Sequence, residues 1–204
     1  GANLVVAWGS VGDLRYEDQN ILYRGWVITF DKNNLAITGI FCTSCTTDNS
    51  ISRVAHGASV WQSGGAPVVD LANNIYFFTG NGWARTSDSN AGLCAGSALR
   101  RDKYFGQSVI KISPGTLFPN TLTMPTASFQ ISDWCDHDNI DSELGSSSPI
   151  VVSEGGRQFL IGGGKDHKLR VFDLNSFLSS QYYEPNQPHP QRQALEVSYE
   201  IKAP

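Results

Sequence analysis

The chain has 204 residues, of which 40% are hydrophobic and 11% aromatic, as in packed globular proteins of one or two domains. Its formal net charge of −4 argues against the basic surface that nucleic-acid binding requires, and no apolar run approaches the ~20 residues that span a bilayer. Twenty glycines and nine prolines favour turns and short strands over helices.

The first elements that the sequence predicts are three strands. Residues 4–8, 25–31 and 37–41 are short segments rich in apolar and β-branched residues, which is typical of buried or half-buried strands. They correspond to the second, third and fourth strands of a four-stranded unit, so a first strand is missing before Leu4. Because the chain begins with Gly, we expect a processed or incomplete polypeptide whose signal peptide is absent from this sequence.

The four cysteines follow two different spacings. Cys42 and Cys45 form a CxxC motif, whereas Cys94 and Cys135 are too far apart to be the second pair of a zinc site. A redox CxxC would need a βαβ setting, which the surrounding strands do not provide. We therefore expect two disulfides, Cys42–Cys45 and Cys94–Cys135, and an extracellular or periplasmic protein.

An ungapped internal repeat follows in the chain. Residues 66–82 match residues 148–164, with identical prolines, valines, phenylalanines and glycines at equivalent positions. Each copy predicts four strands separated by Asn-, Asp- or Gly-rich turns. The predicted strands are Ala66–Asp70, Ile75–Gly80, Gln107–Ser113 and Thr126–Ile131, then Pro149–Val152, Gln158–Gly162, Lys168–Asp173 and Glu196–Ile201.

Repetition of four-stranded units indicates an all-β fold, a partial β-propeller with antiparallel blades. We expect about eleven strands in three blades, near residues 4–41, 66–131 and 148–201, with residues 1–204 forming part of one propeller domain. No convincing helix is predicted. Because a propeller closes with at least ~4 blades, we expect the remaining blades from another chain or from missing sequence.

Several motifs resemble the quinoprotein alcohol dehydrogenase-like propellers, and the polyvinyl-alcohol-dehydrogenase-like members most of all. They are the segments 57–70, 74–82, 141–149, 162–166 and 169–173, which occur in the order expected for that family. The resemblance covers about residues 4–180. It implies an eight-bladed ring with pyrroloquinoline quinone and calcium near its axis.

The resemblance also implies functional residues. Asn81, in a Thr-Gly-Asn motif, would be the calcium ligand, since calcium prefers oxygen donors. Asp141 would be the catalytic base, with Asp138 and Glu143 as alternatives. Lys165 would contact the quinone. The alternative interpretation is that these residues are ordinary parts of turns and of a solvated acidic loop.

Two tryptophans complete the implied cofactor site, because Trp83 or Trp134 would provide an aromatic floor for a planar quinone. Two positions depart from the family pattern. Ile140 precedes Asp141 where the family has Trp, and residues 165–167 read Lys-Asp-His in place of Lys-Asn-Gly.

These departures and the missing blades favour a non-catalytic scaffold or ligand-binding module in a larger secreted assembly. The alternative is a fragment of a dehydrogenase, dependent on pyrroloquinoline quinone and calcium, that oxidises an alcohol or sugar. A small alcohol or carbohydrate is the expected ligand in either case.

Overall fold

The structure is a computed structural model that describes residues 3–9, 23–45, 55–84, 105–113, 115–117, 125–131, 134–175 and 197–200. Strands dominate the described part of the chain, and they form three antiparallel sheets of three or four strands, none of which is closed. This confirms the all-β architecture of propeller-like blades.

The elements are numbered in chain order. The strands are β1 Asn3–Trp8, β2 Trp26–Asp31, β3 Ile37–Cys42, β4 Ala55–Gly57, β5 Val68–Val69, β6 Ile75–Phe78, β7 Gly82–Ala84, β8 Ser108–Ile112, β9 Ala127–Gln130, β10 Ile150–Glu154, β11 Arg157–Gly163, β12 Lys168–Asp173 and β13 Val197–Glu200. The helix α1 covers Trp134–Asn139, and 3-10 turns cover Gln62–Gly64 and Leu144–Ser146.

Each sheet is built from consecutive strands. The first sheet has the order β1-β2-β3, the second β5-β6-β8-β9 and the third β10-β11-β12-β13. All eleven predicted strands are therefore confirmed, including the three-stranded first copy. The short antiparallel pair β4-β7 was not predicted.

The acidic segment at 137–141 is where the sequence interpretation was wrong, because its first half is helical and not a loop. Helix α1 contains only six residues and has no apolar periodicity to reveal it. It is held by its surroundings, since Trp134 is buried and the Ser142 N–H donates to the His137 carbonyl at 2.9 Å.

In each of the three sheets, an aspartate side chain closes a turn at the end of a strand by accepting a backbone hydrogen bond. Asp31, Asp70 and Asp173 each accept a hydrogen bond at Oδ1 from the backbone N–H two residues later, at 2.7, 2.9 and 3.0 Å respectively. Short acidic side chains favour such turns because they satisfy a backbone donor locally. The Phe-Asp and Val-Asp dipeptides of the repeat therefore mark where strands end.

The second sheet is covered on both faces. Along β6, Ile75 and Phe77 face the first sheet, whereas Tyr76 and Phe78 face the third. The core between the first and second sheets contains Val27, Phe41, Val60, Ile75, Phe77, Phe105, Ile110 and Ile112. The core between the second and third sheets contains Tyr76, Phe78, Val109, Ala127, Phe129, Ile131, Trp134, Leu144, Leu160, Phe172 and Leu174.

The outer faces of the first and third sheets are also apolar, although they lack a neighbouring sheet among the described residues. On β1, Leu4, Val6 and Trp8 are 48, 45 and 41% exposed and lie on one face, because alternate residues of a strand share a face. On β10, Ile150 and Val152 are 55 and 36% exposed. Partly exposed neighbours extend these faces: Trp26, Ile28, Phe30 and Ile40 in the first sheet, and Phe159, Ile161, Leu169 and Val171 in the third.

Two repeated glycine positions allow the second and third sheets to approach closely. A Cβ on Gly162 would lie 2.3 Å from Cε2 of Phe78. A Cβ on Gly164 would lie 2.6 Å from the carbonyl oxygen of Glu143. A side chain at position 162 would therefore crowd Phe78 of the second sheet, and one at position 164 would crowd the segment that connects the two sheets.

Candidate functional site

A polar network lies just beyond the C-terminal ends of strands β6 and β11, which belong to neighbouring sheets. Asn81 follows β6, and Lys165 follows β11 at a nearly equivalent point of the repeat. The segment 138–143, which connects the second and third sheets, lies between them. The fold therefore brings Asn81, Asp138, Asp141, Glu143 and Lys165 together, which are the polar residues that the sequence selected.

Asn81 is the centre of the network, and it is only 2% exposed. Its Nδ2 donates to Oδ1 of Asp141 at 2.7 Å. Its Oδ1 accepts from Nε2 of Gln107 at 2.7 Å. Its carbonyl oxygen accepts from the Ala58 N–H at 2.5 Å, so backbone and side chain are both fixed.

Gln107 links three segments and was not predicted from the sequence. Besides Asn81, its Nε2 contacts Oδ1 of Asp138 at 2.9 Å, and its Oε1 accepts from the Leu144 N–H at 2.8 Å. The side chain is fully buried. A polar residue immediately before β8 was the only sequence signal, and such a residue usually belongs to a solvated turn.

Glu143 lies deeper, with a side chain that is 6% exposed. Its Oε1 accepts from Nε1 of Trp61 at 2.9 Å and from the Asn81 N–H at 3.3 Å, and its Oε2 lies 3.2 Å from Nζ of Lys165. Burial raises the pKa of Glu143, and the attraction of Lys165 only partly offsets this effect. Trp61 thus serves as a hydrogen-bond donor in addition to packing near Tyr23.

Lys165 and Asp141 form the exposed part of the network. Nζ of Lys165 lies 3.0 Å from Oδ2 of Asp141, and the two side chains are 45 and 54% exposed. Partial burial would lower the pKa of Lys165, but hydrogen bonds and charge attraction from Asp141 and Glu143 outweigh it and raise the pKa. An ion pair this exposed contributes little to stability by itself.

A second charged cluster is centred on Asp166, the residue that follows Lys165. Asp166, 4% exposed, binds Arg170 through two hydrogen bonds and lies 3.9 Å from Nε2 of His137. Burial alone would raise the pKa of Asp166, but hydrogen bonding and attraction by Arg170 together lower it. Asp166 therefore neutralises a buried Arg.

The two tryptophans of the predicted cofactor floor lie in different places. Trp134 is 9% exposed and belongs to the core between the second and third sheets. Trp83 belongs to β7, opposite His56 of β4, and its side chain lies outside the described part of the chain. Whether either ring contacts a ligand stays a prediction.

The oxygen atoms of the network are already engaged by donors of the protein. Asn81 Oδ1 receives Gln107, Asp141 receives Asn81 and Lys165, and Glu143 receives Trp61 and Lys165. Within the described ranges, no group of three or more His, Cys, Asp or Glu side chains is arranged to hold a metal ion. Calcium takes 6–8 oxygen ligands, so it would have to displace some of these donors, and calcium binding by Asn81 stays a prediction.

The Cys42–Cys45 disulfide, which the sequence predicted, is confirmed and lies at the end of β3. Inside its loop, Thr43 and Ser44 are fully buried. The Thr43 carbonyl accepts from the Phe105 N–H at 3.0 Å, and the Ser44 carbonyl accepts from Arg24 at 2.7 Å. The loop therefore connects the first sheet to the second. The predicted pair Cys94–Cys135 lies outside the described part, because it involves Cys94 and the Cys135 side chain.

The fold and the polar network together define the class of protein. It is an all-β, partial propeller-like array of blades, with a polar network at the junction between two of them. Comparison of the sequence with known proteins finds no matching family model and no matching curated protein. In the described residues, no helix has the length and apolar character needed to cross a bilayer.

Proposed function

We propose that this chain is a non-catalytic scaffold, a wedge of three blades within a larger secreted propeller. The observation that carries the proposal is the apolar outer face on each terminal sheet. The second sheet also has two apolar faces, and each of them is covered by a neighbouring blade. We expect the outer faces of the first and third sheets to be covered in the same way. Contiguous exposed apolar faces mark interaction surfaces.

The partners that fit these faces are further blades of the same kind. The first sheet offers Leu4, Val6 and Trp8, and charged groups on the third sheet's outer face are confined to one end, where Arg157 pairs with Asp173. A polar or charged ligand gains little from such surfaces, whereas another apolar sheet face buries them.

The polar network serves this role as a rigid connection between two blades. It joins Asn81 of the second blade to Lys165 of the third through the connecting segment, and seven side chains contact one another in it. Fully satisfied buried networks rigidify a structure and specify one arrangement. The Cys42–Cys45 disulfide supports placement of the protein in an oxidising compartment.

The native mass of the chain tests this proposal. We expect the chain to associate, giving a mass above 22.2 kDa. Val6→Glu should weaken association at least tenfold, because it places a charge in the outer apolar face. Leu35→Glu is the matched control, since Leu35 is 65% exposed but lies in the β2-β3 turn. A stable, monodisperse monomer would contradict the proposal.

A second candidate function is a fragment of a quinone-dependent dehydrogenase. It is favoured by the convergence of Asn81, Asp141 and Lys165, which the family resemblance selected separately and which lie within hydrogen-bond distance of one another. Pyrroloquinoline quinone with calcium would then be retained after desalting, and simple alcohols would reduce an added dye. Retention that is lost in Asn81→Ala but kept in Asn33→Ala would favour this candidate over the scaffold.

A further inference from the structure

The first blade differs from the other two at the edge that is formed by its first strand, β1. In the second and third sheets, a strand precedes the equivalent of β1: β5 lies beside β6, and β10 beside β11. Among the described residues, β1 has only β2 as a neighbouring strand. Its other edge carries backbone N–H and C=O groups that can pair with an added strand.

On the second sheet, Val69 of β5 lies opposite the place where a strand beside β1 would be. It pairs with Ile75, so it faces the first sheet, and it is 47% exposed. Its repeat equivalent, Val151, pairs with Leu160, faces the second sheet and packs against the core there. Val68 of β5 packs against that same core, and β5 and β10 are in contact. Val151 is covered because β5 lies opposite, whereas Val69 has no such strand opposite it in the described part.

We propose that Val69 and the edge of β1 that faces away from β2 form a strand groove that takes one extended segment from the partner blade. This inference rests on the proposed function and adds the location and chemistry of the contact. The occupant is an extended peptide with the pattern of β5 and β10, Pro-(Val/Ile)-Val, running antiparallel to β1. Main-chain hydrogen bonds to β1 supply affinity, and the alternating side chains supply specificity.

The repeat also fixes which side chain of the occupant faces Val69. Val68 and Ile150 are equivalent, and each follows the proline and faces the next blade along the chain. The residue directly after the occupant's proline therefore contacts Val69. The residue after that faces away, because side chains alternate along a strand.

Disulfide trapping with synthetic peptides tests this geometry. The chain carries Val69→Cys, and the peptides Ser-Ser-Pro-Cys-Val-Val-Ser and Ser-Ser-Pro-Ile-Cys-Val-Ser are supplied as mixed disulfides with glutathione. The Cys thiolate introduced at position 69 attacks the peptide sulfur, and glutathione leaves as its thiolate. We expect the first peptide to give at least ten times more cross-linked chain than the second, measured by intact mass.

Two controls isolate the groove. Leu71→Cys, at a position that is 83% exposed and outside the groove, should react equally with both peptides. The chain with no introduced cysteine sets the background from its native cysteines. Excess Ser-Ser-Pro-Ile-Val-Val-Ser should lower the Val69→Cys yield, whereas a scrambled peptide should not.

The outcomes separate this inference from the proposed function. Equal yields from the two peptides at position 69, in a chain that still associates, overturn the groove and leave the scaffold proposal intact. A monomeric chain without selective cross-linking overturns both. A tenfold selectivity that competitor peptide removes supports the groove.

Discussion

Replacement of Gln107 by Leu should strongly destabilise the protein. The change keeps the approximate volume of the buried side chain but removes all three of its hydrogen bonds. The bonds to Asn81 and to the Leu144 N–H are neutral and contribute about 1 kcal/mol each. The bond to the Asp138 carboxylate is charge-assisted and contributes about 2 kcal/mol.

The expected loss in the free energy of unfolding is therefore about 4 kcal/mol, because the buried partners cannot recover these bonds from water. With an m-value of about 2 kcal/mol/M in urea, the unfolding midpoint should fall by about 2 M. Urea titration followed by tryptophan fluorescence and by circular dichroism measures this midpoint with two probes.

Gln158→Leu is the matched control, because the hydrogen bond found for the Gln158 side chain within the described residues is an exposed one, to Ser153 at 3.4 Å. Its midpoint should change by less than about 0.3 M, as for other surface substitutions. If Gln107→Leu shifts the midpoint no more than Gln158→Leu does, the network does not hold the blades together and this reasoning is refuted.

Two further substitutions test the blade contact and the buried ion pair. Gly162→Ala should cost about 1–3 kcal/mol because its Cβ would meet the Phe78 ring at 2.3 Å, whereas Gly163→Ala, whose nearest contact is at 3.0 Å, should cost less; equal thermal shifts for the two variants would contradict the close packing. Asp166 has a lowered pKa, so its contribution to stability is present above its ordinary pKa of 3.8 and is lost as pH falls through the lower folded value. The stability difference between the native chain and Asp166→Asn should therefore shrink below about pH 4, and a difference that stays constant from pH 6 to pH 2 would rule out this linkage.

The strands were predictable because apolar alternation and the ungapped repeat are both recorded in the sequence. The pair β4-β7 was not, since three-residue strands such as Gly82–Ala84 are too short to show a period. Helix α1 was missed for a related reason. Its residues carry no helical pattern, and its stability comes from the burial of Trp134 and from contacts made after the sheets assemble.

The candidate site was predictable only in part. Asn81, Asp141 and Lys165 were selected by motif resemblance, and the fold does bring them together. Gln107 and Trp61 were not selected, because their roles depend on partners distant in sequence: Trp61 reaches Glu143 only across the interface between two sheets. Local patterns do not encode such long-range pairs, so the network's interior required the tertiary structure.

Each of the three sheets consists of one continuous stretch of chain, and this has a consequence for biosynthesis. A blade can pair its strands as soon as its own residues have left the ribosome, because its contacts are local in sequence. During translation the apolar face of each blade waits for the next blade to emerge and cover it. The growing polypeptide therefore exposes an apolar sheet face at its newest end until the next blade has emerged.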